Sequence, residues 1–135
     1  MRKPNITSKI ELKVEAAVNP SEDAQKVTEA IVNLFTRCSP EVSYRNRVVG
    51  RAEGSDPLAI LYEQVRSRAA MGVLRRMLLD NRAGDSTRFL LNKQAATAGI
   101  AAVIEEEQES PLGPIRVTIS CEELDVLIDW LVPEP

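Results

Sequence analysis

The side chains with the most accessible chemistry in this chain are cations. In Leu90 to Gly99, LLNKQAATAG, Lys93 follows an asparagine suited to capping a short helix. N–H groups at such a helix start, together with the ammonium, could hold a phosphate. The competing reading of the same stretch is a structural corner, in which Asn92 caps, alanines pack close to a sheet and Gly99 supplies a left-handed stop. Arginines outnumber lysines twelve to five, and the planar guanidinium fork suits bidentate phosphate contacts. Arginine enrichment also follows from genomic base composition or life at high temperature. Arg68, Arg75 and Arg82 recur at seven-residue spacing, nearly in line on a helix face opposite an apolar set. With Arg47, Arg51 and Lys93 they form the candidate set for gripping a polyanion, and Arg75 has the alternative of pairing with a C-terminal carboxylate.

Catalysis finds less support. The chain has no histidine, so acid–base work would fall to carboxylates, Lys93 or a tyrosine, and no motif groups them. No enzymatic activity and no catalytic residue is expected. Cys38 and Cys121 lie too far apart for a local metal knuckle, and the run Glu105-Glu106-Glu107 with Glu109 reads as a solvated turn rather than a cation loop. No metal and no cofactor is expected. With one Trp, two Tyr and two Phe, stacking platforms for single-stranded bases are scarce. Any nucleic-acid contact is therefore expected through the shape and backbone of a folded RNA.

The net charge of −3 hides an uneven distribution. Residues 1–36 carry five basic and five acidic side chains, residues 37–93 eleven and six, and residues 105–135 one and nine. A basic middle and an acidic C-terminal quarter can mark a polyanion surface, or simply keep a domain soluble. The N-terminus lacks an apolar signal region, and no run approaches a membrane span. A cytoplasmic location with reduced, buried cysteines is the expectation, a Cys38–Cys121 bridge being the alternative.

These side chains need elements to position them. Ile10 to Val18 alternates apolar and charged residues as a half-buried strand does. Ser21 and the carboxylates after it open a helix running to about Arg37. A second strand is read over Val42 to Glu53, with Arg45, Arg47 and Arg51 among its apolar positions. Asp56-Pro57 starts a helix whose apolar stripe shifts between Ser67 and Gly72, which requires a break there. Strands follow at 87–91, 100–105 and 115–120, and Ser120 to Glu123 reads as a capping box before a helix carrying Leu124, Leu127, Ile128 and Leu131. The order predicts a single α+β domain over 1–135, with disorder in residues 1–8 as an N-terminal tail left open. Its architecture is a two-layer sandwich, a mainly antiparallel five-stranded sheet with helices packed on one face. The other face is then open, and its outward Lys, Arg and Glu make it a natural docking surface.

VEAAVNPSEDAQKV (Val14 to Val27), LLNKQAA (Leu90 to Ala96), ESPLGPI (Glu109 to Ile115) and IDWLVP (Ile128 to Pro133) occur in that order. Together they resemble an uncharacterised family of small archaeal proteins described as predicted RNA-binding or exosome-associated. The resemblance extends from about Lys9 to Pro133 and implies a fold similar to the large-subunit ribosomal protein that binds 5S ribosomal RNA, often as a homodimer. It identifies no contact residue. The expected function is thus non-catalytic binding of a structured RNA, with Arg47, Arg51, Arg68, Arg75, Arg82 and Lys93 as RNA-binding candidates. The alternative is a homodimeric interaction module that meets a protein partner through its acidic C-terminal helix.

Overall fold

The alternation that marks the strands also decides which side of the sheet is covered. In the computed structural model, which describes residues 1–43 and 46–134, strand β1 (Ile10–Ala17) buries Ile10, Leu12, Val14 and Ala16 and turns Glu11, Lys13 and Glu15 away from the core. Helix α1 (Ala24–Leu34) follows, capped by Asp23 rather than Ser21, its carboxylate accepting from the Gln25 N–H at 3.0 Å. Its stripe of Val27, Ala30, Ile31 and Leu34 is buried.

Between residues 41 and 53 the chain departs from the expected single strand. Strands β2 (Glu41–Ser43) and β3 (Arg47–Glu53) form an antiparallel hairpin with Val42 opposite Val48. Among the described residues the sheet therefore has six strands rather than five. No glycine or proline announces the reversal; Asn46, just before β3, has φ 56°, a conformation asparagine tolerates better than most residues. Tyr44 and Arg45, read as part of that strand, lie outside the described residues.

The expected break between the central helices is present. Helix α2 (Ala59–Ser67) ends at Arg68, Ala69 takes φ 55°, and α3 (Met71–Asp80) begins again. Strand β4 (Ser86–Leu91), helix α4 (Lys93–Thr97) and strand β5 (Val103–Ile104) form the corner unit. Strand β6 (Ile115–Cys121) and helix α5 (Leu124–Leu131) complete the chain. The sheet order is β2-β3-β1-β6-β4-β5, every neighbouring pair antiparallel. The helices pack on one of its faces over an aliphatic core that includes Leu34, Leu61, Leu74, Val117 and Leu131.

The capping box expected at Ser120 does not form. Ser120 belongs to β6 and its hydroxyl lies 2.6 Å from that of Ser86. Glu123 serves the N-terminal segment instead, accepting from the N–H groups of Thr7 at 2.9 Å and Ser8 at 2.8 Å, and these bonds hold its carboxyl below its ordinary value. Residues 1–8 are thereby tied down at one end, and at the other the Trp130 indole donates to the Arg2 carbonyl. Both cysteines are buried and unpaired, and burial pushes the Cys38 thiol up, away from the reactive thiolate.

Gly50 lies in β3 directly against Cys38, and a Cβ there would overlap the Cys38 Sγ and touch Pro40. Gly50→Ala is expected to destabilise the fold by about 1–3 kcal/mol through overpacking. Adding Cys38→Ala should recover part of that loss. Urea unfolding of the two variants is the check, and a Gly50→Ala protein as stable as the parent would contradict the contact.

Candidate functional site

Asn92 ends β4 and caps α4, its side-chain oxygen accepting from the Ala95 N–H at 2.9 Å, and Gly99 leaves the corner at φ 77°. Lys93, the intended anion ligand, is only 2% exposed. Its ammonium donates to the carbonyls of Ala17 at 2.8 Å and Leu112 at 2.6 Å and to the Glu22 carboxylate at 2.9 Å. Three donors meet three acceptors, so nothing remains for a phosphate. Lys93 instead ties β1, the start of α1 and the loop before β6 into one corner. On the Glu22 carboxyl, burial acts upward, but hydrogen bonds from the Asn19 backbone, Lys93 and the Asn19 side chain outweigh it and hold the group below its ordinary value.

The helical arginines have other work. Arg75 donates to Asp129 at 2.8 Å, the Val132 carbonyl at 2.9 Å and Glu134 at 3.2 Å. Arg82 pairs with Asp125. Arg66, absent from the candidate set, donates to the Leu131 carbonyl at 2.9 Å and the Trp130 carbonyl at 3.2 Å, and its guanidinium lies 3.4 Å from the Tyr62 ring centre. Arg66 and Arg75 thus satisfy the carbonyls at the C-terminal end of α5, where a helix dipole favours cations. Arg68 is exposed at the α2–α3 break, apart from this seam's ion pairs. The six candidates do not converge: Arg75 and Arg82 belong to the helical layer, Lys93 to the buried corner, and only Arg47 and Arg51 to the open sheet face.

On that face the register assembles cations the sequence leaves scattered. Lys13 stands opposite Arg51 on one side and Thr118 on the other, and Thr118 stands opposite Arg88. The row Arg51–Lys13–Thr118–Arg88 crosses four strands, roughly 14 Å at the usual inter-strand spacing. It contains no carboxylate. Among the described residues, no carboxylate lies within ion-pair distance of Arg51 or Arg88.

Directly opposed like charges destabilise a sheet by about 0.2–1 kcal/mol per pair. The neighbouring row contains such a pair, Glu11 opposite Glu53, but Lys9 bridges it at 3.4 and 3.0 Å and has its own ammonium pushed up by these contacts. For Lys13 opposite Arg51 the nearest compensation is Glu15, 3.9 Å from the Lys13 ammonium and already bonded by Arg47 at 2.9 Å. Between β4 and β6 the face sinks into a depression of about 390 Å³ lined by residues that include Glu15, Asn81, Ser86, Arg88, Arg116 and Thr118. Arg116 at its edge pairs with Glu107. Among the described residues, no three of the His, Cys, Asp or Glu side chains gather as metal ligands, and no helix is long and apolar enough to cross a membrane. Lys13, Arg88 and Thr118 escaped the sequence-based candidate set. Period-two alternation places them outward, but only strand order makes them neighbours.

Comparison with known proteins gives concordant results. A family model described as RNA binding matches residues 11–121. The chain is similar to a UPF0201 protein of Sulfurisphaera tokodaii, 39% identical over 124 residues covering 90% of this chain and 86% of the relative. It is also similar to a UPF0201 protein of Methanosarcina acetivorans, 39% identical over 142 residues covering 92% and 85%. Among solved structures, a UPF0201 protein superimposes with TM-score 0.79 at 28% identity, covering 92% of this chain and 94% of that one. The UPF0201 protein from Methanococcus jannaschii does so with TM-score 0.74 at 25% identity, covering 94% of each.

The corner yields a test of its own. Because the folded Glu22 carboxyl is depressed, the stability it contributes is complete above its ordinary value of 4.5 and is lost as pH falls through the lower folded value. Lys93→Met should cost about 3 kcal/mol at neutral pH, since it removes the only cation paired with the half-buried Glu22 carboxylate among the described residues and leaves the Ala17 and Leu112 carbonyls without their donor. The same variant should flatten the acid limb of stability. Urea midpoints measured from about pH 6 to pH 3 follow both effects; an unchanged midpoint at neutral pH would deny Lys93 its structural role.

Proposed function

The chain belongs to the UPF0201 family of archaeal proteins and to the family whose model is described as RNA binding, and on that premise we propose that it is a non-catalytic protein that takes a structured RNA on the open face of its sheet. The observation that carries this reading is the cross-strand row Arg51–Lys13–Thr118–Arg88, in which Arg51 and Arg88 have no carboxylate partner among the described residues and Lys13 only a distant one in Glu15. The like-charge pair Lys13–Arg51 within it is relieved when a polyanion lies across the row. Arg47 and Arg116 flank the row, each with a carboxylate partner. Arg68 is at most an auxiliary contact, and Arg75, Arg82 and Lys93 act on the fold.

The RNA class follows from what the face presents. Among the described residues, its strand positions are charged, hydroxyl-bearing or aliphatic, and the Tyr62–Trp130 pair, with ring centres 5.0 Å apart, belongs to the helical layer. Without aromatic platforms among the described residues, unstacked bases gain little there, whereas phosphates and ribose of a helical RNA suit fixed cations and hydroxyls. Association with the exosome, a cytoplasmic location and a fold like that of the 5S-RNA-binding ribosomal protein belong to this same reading.

The rival is an interaction module. A foothold for it is the edge strand β2, where Val42 is 57% exposed. The acidic helix α5 favours it less, since Asp125 and Asp129 already serve Arg82 and Arg75.

Binding to a hairpin RNA at low salt, followed by fluorescence anisotropy, should weaken steeply as salt rises. Arg51→Ala and Arg88→Ala should each weaken it and each lower the slope of log K against log salt by about one. Lys26→Ala, on the exposed face of α1, should change neither quantity. Arginine variants that bind like the parent would remove the RNA from this face. A folded protein that binds no RNA at low salt would leave the interaction module standing.

A further inference from the structure

The depression between β4 and β6 combines groups that do not suit a phosphate alone. Arg88 and Arg116 stand at its cationic side, yet Glu15 lines it as well. A carboxylate facing a phosphate is repulsive, whereas a sugar hydroxyl can donate to it. Both cationic contacts of Glu15, Arg47 at 2.9 Å and Lys13 at 3.9 Å, reach Oε2, so among the described residues Oε1 has no cationic partner. Thr118 stands beside it on β6, two residues from Arg116, which is itself directly opposite Glu15. Among the described residues the Thr118 hydroxyl has no protein partner, whereas Ser86 and Ser120 are already paired with each other.

From this juxtaposition we propose that the depression is a ribose-reading subsite, in which Glu15 Oε1 accepts from a 2′-hydroxyl and the Thr118 hydroxyl bonds the same group, with Arg88 taking the adjoining phosphate. The inference rests on the reading of the open face as an RNA interface, and it deepens that reading by committing to the helical form. An A-form duplex displays its 2′-hydroxyls in a wide, shallow minor groove. An open sheet can approach such a groove without inserting an element. The row from Arg51 to Arg88 then spans the backbone while the depression meets the sugars between. A DNA duplex lacks the hydroxyl and would leave Glu15 Oε1 without a donor beside the backbone. The consequence is discrimination of RNA from DNA without reading a base.

The experiment compares one sequence as an RNA duplex, a DNA duplex and an RNA duplex with 2′-O-methyl sugars, each titrated with the intact protein at low salt. The parent protein should prefer RNA by about tenfold over both other duplexes, the effect of one hydrogen bond to a charged group. Thr118→Val, which keeps the β-branched shape, should lose affinity for RNA alone and lower the ratio by about threefold, leaving the part that Glu15 carries. Glu15→Gln should raise affinity for DNA by removing the repulsive charge, and so narrow the ratio from the other side. Equal affinity of the parent for RNA and DNA, with salt-sensitive binding retained, would overturn the ribose subsite while leaving the polyanion face intact. An undiminished preference in both variants would overturn it too. No binding of any duplex by the folded protein would overturn the subsite together with the interface on which it rests.

Discussion

Burial on one side only is the constraint from which the rest of this molecule follows. All six strands lie in one antiparallel sheet, and the helices supply cover for a single face. Because side chains alternate across a strand, each apolar residue sent into the core sends its neighbours outward. The open face is therefore an obligatory by-product of the core, and its composition is free to serve binding. Slipping β1 by one residue against β3 or β6 would bring Lys13 and Glu15 inward, so the same apolar burial that stabilises the sheet locks the row of cations in register.

The charge asymmetry of the chain resolves into two separate uses. Carboxylates of the acidic C-terminal quarter meet arginines of the basic middle across the helical layer, where Arg75 and Arg82 join α5. Arg66 and Arg75 also take the carbonyls at the end of that helix, which has no basic residue in its own last turn. The exposed members of these pairs contribute little individually. The backbone contacts matter more, because carbonyls left unpaired near the core are costly. On the sheet face, by contrast, Arg51 and Arg88 have no such partner among the described residues.

The corner around Lys93 shows how a reactive-looking group becomes structural. An ammonium with three acceptors at hydrogen-bond distance is satisfied and fixed, and its burial is tolerable only because Glu22 balances the charge. The first N–H of the short helix α4 bonds the Ser110 hydroxyl at 3.2 Å. Lys93 thus joins segments far apart in the chain beneath the loop whose Glu107 meets Arg116 at the open face.

Local patterns were sufficient to reveal much of this from sequence. Alternation in Ile10 to Val18, the shifted stripe around Ser67 to Gly72 and the Asn92 cap depend on neighbours within a few residues, so the one-layer-of-helices α+β arrangement and its open face were legible. The hairpin at 41–53 was not, since no glycine or proline signals its reversal. Which arginines are available was not legible either. Arg68, Arg75 and Arg82 share a sequence spacing, but ion pairing depends on carboxylates more than forty residues away. Lys13, Thr118 and Arg88 share no spacing at all and become neighbours only because β1, β6 and β4 lie side by side. Sequence alone determined which way each side chain of a strand points, because that is a property of the local backbone. Tertiary structure alone decided which of them meet, because strand order and register are set by burying the whole core at once.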